Sequence, residues 1–234
     1  MTTLEDRYFQ VAKLTYQFKQ LTASNIHELL FTDKQSEKPC YRVLNRLYNG
    51  GYLDYLEYPL TGGDKGGSGP KIWILASKGW GLFSDKPYRK PRAINWHTRE
   101  IAHTFLELVR LQRAGRFTIE GYATEPDCWM VIDGRDLRPD IYLEIRRLNG
   151  STVKSFLEID MDSEGEKKVK SKLNDCIYAH AHADPKEFDV WPLTRWIVPD
   201  DMRARQLRRW IGHLNEEDQQ LFKVYLKADI GGMF

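Results

Sequence analysis

The sequence predicts an α/β protein, α+β overall, with two domains joined by a basic linker. Three observations support this prediction. Before residue 84 the hydrophobic pattern indicates three helices and then two alternating strands, whereas after residue 95 strands and helices alternate. Between them the chain reads SDKPYRKPR, and proline combined with charge is typical of interdomain linkers. We therefore predict domains at residues 1–83 and 96–234, with a linker at residues 84–95.

The first two helices of the N-terminal domain are predicted over residues 4–20 and 21–31. Phe9, Leu14 and Phe18 contribute to a broad apolar surface on the first helix. Thr22 or Ser24 is expected to cap the second helix, because a side-chain oxygen at this position can accept a hydrogen bond from a free backbone N–H.

Ser36 is predicted to cap a third helix, which has Pro39 in its first turn and ends at the Gly50-Gly51 pair. At 100° per residue its apolar side chains share one side and its polar side chains share the other. The polar side carries Lys38, Tyr41, Arg42, Asn45 and Asn49. Arginine can bond guanine through two hydrogen bonds, asparagine can bond adenine in the same way, and lysine and tyrosine reach phosphates. This side is therefore predicted to contact the DNA major groove.

Two strands, at residues 52–58 and 71–75, are predicted to flank the glycine-rich segment 61–70. The ribbon would place Lys65 and Lys71 near the DNA backbone or minor groove, and Arg89 and Lys90 of the linker would add phosphate contacts. With the phrases RVLNRLYNGGYL and ILASKGW, this arrangement resembles winged helix-turn-helix domains. A three-helix module that contacts protein instead of DNA is the alternative reading.

Composition limits how nucleic acid could be bound. Charged residues make up 29% of the 234 residues, but the formal net charge is only +2, so affinity must come from local basic clusters at residues 86–92 and 203–209. Three cysteines without a CxxC pair indicate a reducing compartment. The chain opens without a basic, apolar leader and has no apolar run near the roughly 20 residues that a membrane span needs. We expect a cytoplasmic protein with no membrane partner.

The second domain is predicted to form a mixed sheet flanked by helices. Its helices are predicted at residues 96–114, 166–180 and 203–214, and its strands at residues 117–122, 138–145, 153–161, 192–198 and 222–226.

Three carboxylates are expected to converge at this sheet. Glu158 and Asp160 are alternate residues of one predicted strand and share a face, and Asp140 joins them if its strand pairs with theirs. Such a group suits Mg²⁺ or Mn²⁺, which can activate water and stabilise charge on a phosphodiester. The lysines of the next helix, Lys172 among them, could neutralise that charge. Alternatively, the acids pair with Arg138 or Arg146 on a solvated face.

The element order and the Pro-Asp and Glu-x-Asp phrases resemble the PD-(D/E)XK nuclease superfamily. That motif ends in lysine where this chain has Asp160. Two interpretations follow from the difference. Either Lys172 or Lys168 supplies the missing lysine from the helix, or the site is inactive and the domain provides DNA contacts or dimerisation.

The whole chain resembles the replication-relaxation family of plasmids and other mobile elements, from about Leu4 to Leu214. The phrases that carry this resemblance are HTFL at 103–106, LRPD at 137–140 and FLEID at 156–160, followed by Lys172-Leu173 and Tyr178. The resemblance implies a double-stranded DNA-binding accessory protein, expected as a homodimer, that acts in replication, relaxation or mobilisation.

Two other functions stay open. One is a Mg²⁺-dependent endonuclease, with Asp140, Glu158 and Asp160 as metal ligands and these acids with Lys172 as catalytic residues. The other is an adaptor that recruits a relaxase or replication initiator.

Overall fold

The computed structural model describes residues 4–57 and 69–234. It confirms the α+β prediction, because helices accompany a five-stranded mixed sheet. The chain divides into two compact units, Met1–Leu106 and Glu107–Phe234, and by this division residues 84–95 belong to the first unit. Among the described residues, no helix combines the length and apolar character that crossing a bilayer requires.

The first unit combines helices with short strands, and its last helix continues into the second unit. Its elements are α1 (Leu4–Phe18), β1 (Leu21–Thr22), α2 (Ala23–Leu30), α3 (Lys38–Asn49), β2 (Leu53–Glu57), β3 (Lys71–Leu75), α4 (Ser77–Trp80) and the continuing helix α5 (Trp96–Arg113). Both β1 and β2 pair antiparallel with β3, which gives the strand order β1–β3–β2.

Local sequence sets the helix ends in this unit. Thr22, one of the two candidates from the sequence, caps α2. Its side chain accepts from the Asn25 N–H, and the Asn25 side chain accepts from the Thr22 N–H. The prediction that Ser36 caps α3 is wrong. Glu37 occupies the N-cap position without a side-chain bond, and the helix starts beside Pro39, whose fixed φ suits a first turn. At the other end Gly51 adopts φ +75°, a conformation that glycine adopts at little cost.

The core of the first unit lies where α1, α2 and α3 pack against each other, with α1 and α2 also against β3 and α3 against β2. Phe18, Leu44 and Trp73 are among its largest fully buried side chains. Gly79 packs tightly against the backbone of Tyr52, since a Cβ atom at Gly79 would lie 2.1 Å from the backbone oxygen of Tyr52.

The second unit alternates strands and helices. Its elements are β4 (Phe117–Thr124), β5 (Met130–Ile132), β6 (Arg135–Leu137), β7 (Ile141–Arg147), β8 (Thr152–Ile159), α6 (Glu166–His182), β9 (Leu193–Val198), α7 (Asp201–Ile211), α8 (Glu216–Gln219), β10 (Phe222–Leu226) and a 3₁₀ helix (Lys227–Gly232). The main sheet has the order β10–β9–β8–β7–β4. Strands β4, β7 and β8 pair antiparallel, whereas β8, β9 and β10 pair parallel.

Helices α6 and α7 both contribute side chains to the core of the second unit. Val169, Leu173 and Cys176 of α6 cluster with Phe156 of β8 and Trp196 of β9. The parallel β8–β9 pair needs a crossover connection, and α6 provides it.

Two details of this unit differ from the prediction. The strand expected from residue 138 begins at Ile141, and a hairpin of β5 and β6 precedes it. Each hairpin strand has only three residues, too few to show alternation, and Asp133 and Gly134 turn between them at positive φ.

Candidate functional site

The pairing of β7 with β8 brings Asp140 beside the end of β8. The backbone N–H of Asp140 donates to the oxygen of Leu157 at 3.1 Å, and the N–H of Ile159 donates to Asp140 Oδ2 at 2.7 Å. Asp140 is buried, as is Glu158 on β8. The antiparallel ladder therefore fixes both carboxyl groups in one region of the second unit.

Lys172 reaches this region from α6. Its Nζ donates to Glu158 Oε2 at 2.8 Å and lies 3.2 Å from Glu164 Oε2. Lys168, one turn earlier, contacts Glu164 Oε1 at 2.6 Å instead and is mostly exposed. Of the two lysines considered from the sequence, Lys172 is the one in contact with Glu158.

Burial and nearby charges shift the pKa values of Glu158 and Lys172. Burial and the neighbouring Asp140 raise the pKa of Glu158 from 4.5 to about 8, although Lys172 opposes the shift. Burial alone would lower the pKa of Lys172, but the contact with Glu158 outweighs it and holds the pKa above its ordinary value. The two groups titrate as a pair, in which Lys172 holds its proton more firmly than Glu158 does.

Asp160 has a different partner. Arg203 of α7 donates to Asp160 Oδ2 from Nε at 3.0 Å and from Nη2 at 2.7 Å, and both side chains are buried. Arg203 also donates to the backbone oxygen of Glu164 at 2.6 Å. Asp140, Glu158 and Lys172 thus share one site, whereas Asp160 forms a buried ion pair that joins the end of β8 to α7.

The sequence prediction did not include this role of Arg203, which it counted in the basic cluster at residues 203–209. Arg203 does not belong to that surface cluster, because it is only 3% exposed. A signal was present: Arg203 lies four and seven residues before Leu207 and Trp210, on the apolar side of α7.

Asp140 and Glu158 are the candidate donors for a divalent cation. Among residues 4–57 and 69–234, no group of three or more His, Cys, Asp or Glu side chains is arranged to hold a metal ion. Mg²⁺, however, is commonly held by one or two carboxylates together with water and substrate phosphate. Asp140 and Glu158 supply two, and their repulsion contributes to the raised pKa of Glu158. The pair therefore fits a cation shared with a DNA phosphate.

The first unit presents a second candidate surface on α3. Cys40, Val43, Leu44 and Leu47 are buried, as the hydrophobic pattern predicts. The other side of the helix is exposed along Lys38, Tyr41, Arg42, Asn45 and Asn49. A continuous polar stripe is therefore open on this unit.

The remaining predicted DNA contacts have varied surroundings. Lys65 lies outside the described residues. Lys71 Nζ lies 3.9 Å from the ring centroid of Tyr55. Lys90 Nζ donates to Asp54 Oδ2 at 2.5 Å, and Arg89 is exposed.

Comparison with known protein families gives one match. A family model described as replication-relaxation matches residues 13–187, well over half of the chain. The chain belongs to the replication-relaxation family. Membership points to a role in the replication or relaxation of a plasmid or other mobile element. The replication-relaxation match includes α3 and the Asp140, Glu158 and Lys172 site, and ends before Arg203. Comparisons with curated proteins and with solved structures give no significant match.

Proposed function

We propose that this replication-relaxation protein is a double-stranded DNA-binding accessory protein that inserts α3 into the major groove. The observation that carries the proposal is that α3 exposes its polar side while its apolar side is buried. The order of elements and the β1–β3–β2 sheet support a winged helix-turn-helix for the first unit. A helix suits the width of the groove, and Arg42 and Asn45 are side chains that read guanine and adenine.

Residues outside α3 would contribute affinity rather than sequence preference. Lys90 and Arg89 are exposed, and the ion pair of Lys90 with Asp54 lies at the surface. Exposed ion pairs contribute little to stability, so a phosphate could replace Asp54 at little cost. These contacts predict binding that weakens as salt rises.

The test begins with selection of preferred sites from random duplex DNA, followed by mobility shifts. Arg42→Ala with Asn45→Ala should weaken binding to the selected site by about thirty-fold or more, because each bidentate contact contributes about 1–3 kcal/mol. Arg113→Ala is the matched control, since Arg113 is an exposed arginine of α5 and lies outside both basic clusters. Unchanged affinity of the double variant would contradict the groove assignment. Failure of the wild type to shift any duplex at low salt would favour the adaptor.

A second function, Mg²⁺-dependent nicking or cleavage of DNA, is favoured by the contact of Lys172 with Glu158 beside Asp140. If the protein has this function, the second unit is a PD-(D/E)XK-like domain in which α6 supplies the lysine of the motif. Asp140 and Glu158 would hold the cation, which when bound would polarise a phosphoryl oxygen and activate water.

The protein side chains have separate roles in this mechanism. The hydrogen bond from the Ile159 N–H orients the Asp140 carboxylate. Glu158 must lose its proton to bind a cation, so its raised pKa predicts metal binding that strengthens with pH. The Lys172 ammonium is placed to donate to a non-bridging phosphate oxygen and to offset the charge that develops there.

Nicking of supercoiled plasmid with Mg²⁺ or Mn²⁺ tests this second function. Asp140→Asn should abolish nicking, and Lys172→Met should slow it by about a hundred-fold, as expected for loss of one charge-stabilising donor. Lys168→Met is the matched control, because Lys168 lies on the same helix and contacts Glu164 rather than Glu158. Intact plasmid with both ions, across several DNA sequences, would overturn the proposal.

A further inference from the structure

A cavity of about 300 Å³ opens beside Glu158 and Lys172 in the second unit. Phe156, Trp196 and Phe222 contribute aromatic surface to its lining. The segment 136–139, which links the β5–β6 hairpin to Asp140, also lines it. The candidate phosphodiester site therefore adjoins a recess with apolar surface.

The charges of the cavity indicate what it can hold. Its lining contains the carboxylates of Asp136, Glu158 and Asp175 but only two cations, Arg138 and Lys172. Both cations already bind acids: Arg138 contacts Asp136 at 2.5 Å and Lys172 contacts Glu158 at 2.8 Å. The lining therefore offers no surplus of positive charge to a phosphate group. A neutral, planar group that donates hydrogen bonds suits the lining better.

An aromatic residue outside the lining contacts Arg138, which is part of the lining. Trp129 is 41% exposed, and the guanidinium of Arg138 lies 5.1 Å from its ring centroid. On the same hairpin, Arg135 lies 3.8 Å from the ring of Tyr178. Of these two rings Trp129 is the exposed one, and an exposed aromatic ring beside arginine is a surface on which an unpaired base can stack.

The size of the cavity limits the ligand to a small group. Its volume lies at the lower end of the range for small-molecule sites, roughly 300–1,000 Å³. One base fits such a space, whereas a base pair still attached to its duplex cannot enter it. Enzymes that bring a base into a pocket either act on single-stranded nucleic acid or extrude the nucleotide from a duplex, which costs the free energy of unstacking and unpairing.

We propose that this cavity, with Trp129 at its edge, binds an unpaired nucleobase that carries an exocyclic amino group. The carboxylates of Asp136 and Asp175 would accept from that amino group, as acidic side chains do from cytosine N4. The inference rests on the proposed DNA-binding function and specifies its substrate class. In this proposal the second unit binds single-stranded or branched DNA, and α3 binds a duplex.

Fluorescence anisotropy with short oligonucleotides in EDTA tests the proposal without cleavage. Oligo-dC should bind about ten-fold more tightly than oligo-dT, because thymine lacks the amino group. Trp129→Ala and Arg138→Ala should each weaken oligo-dC binding about ten-fold, the loss expected for one stacked base. Asp136→Asn with Asp175→Asn should remove the preference for dC.

The chain offers matched controls. Trp96 is also an exposed tryptophan, with the guanidinium of Arg99 5.7 Å from its ring, so Trp96→Ala should leave oligo-dC binding unchanged. Arg146 is an exposed, ion-paired arginine toward the far end of β7 from Asp140, so Arg146→Ala should also be silent. Competition by free deoxycytidine at similar concentration would assign the cavity to a nucleoside rather than to a DNA strand and would overturn the substrate class.

Equal affinity for dC and dT, wild-type binding by Trp129→Ala and Arg138→Ala, or no single-strand binding would overturn the inference. These outcomes are separate from those of the proposed function. Duplex binding is measured with the Arg42 variants, and cleavage is measured with Asp140→Asn. The cavity variants should leave duplex binding intact.

Discussion

Replacing Arg203 with methionine should strongly destabilise the second unit. Arg203 makes two hydrogen bonds to Asp160 Oδ2, and it also donates to Gln206 Oε1 at 2.7 Å and to the backbone oxygen of Glu164 at 2.6 Å. Methionine fills similar space but provides no donor. The variant would leave the Asp160 carboxylate, whose side chain is 0% exposed, without its cation.

The expected loss is about 3–5 kcal/mol in the free energy of unfolding, because removal of one partner leaves a buried charge without compensation. A change of 1 kcal/mol lowers the Tm of a domain of roughly 150–250 residues by about 2–4 °C. Adding Asp160→Asn to the variant should recover part of the loss. The amide has no charge, and its oxygen can still accept the hydrogen bond that the Asp162 N–H donates to Asp160 Oδ1 at 2.6 Å.

Urea-dependent hydrogen exchange, read by mass spectrometry on peptides from β8 and β9, measures this loss in the second unit alone. Arg205→Met on the same helix is the control and should change stability by less than about 0.5 kcal/mol, since Arg205 is exposed. The reasoning is refuted if Arg203→Met stays within about 1 kcal/mol of the wild type, or if Asp160→Asn gives no recovery.

Two further predictions concern one site in each unit. Because the pKa of Glu158 rises from 4.5 to about 8 on folding, the folded chain binds more protons in that window. Its free energy of unfolding should therefore fall as pH rises, by up to about 1.4 kcal/mol per pH unit, whereas Glu158→Gln should lack this component. Urea unfolding at stepped pH measures it, and identical slopes would contradict the assignment. Gly79→Ala should cost the first unit about 1–3 kcal/mol, because its Cβ would overlap the oxygen of Tyr52. Gly81→Ala, whose nearest neighbour would be 3.7 Å away, should be nearly silent in the same thermal unfolding experiment.

The features that the sequence predicted well are those with a local cause. The burial of α3 follows from the spacing of Cys40, Val43, Leu44 and Leu47 along one helix. The proximity of Asp140 to Glu158 requires only that two neighbouring strands pair antiparallel, which is a common arrangement.

Other features of the site depend on contacts that a linear pattern does not encode. Lys168 and Lys172 are one turn apart on the same helix. The way in which α6 packs against the sheet therefore decides which of them contacts Glu158. The partner of Asp160 is 43 residues away on α7. Nothing in the Glu-x-Asp phrase specifies that arginine, and the prediction of three convergent acids could not anticipate it.

The central claim, that α3 meets the major groove, is tested most directly by site-specific photo-cross-linking. Asn45 is replaced by a benzophenone-bearing residue, and Met202, an exposed residue of α7, is replaced in the same way as a control. The account predicts cross-links from position 45 to bases within the selected duplex site and none from position 202. Protein that shifts the duplex but yields no cross-link from position 45 would contradict it.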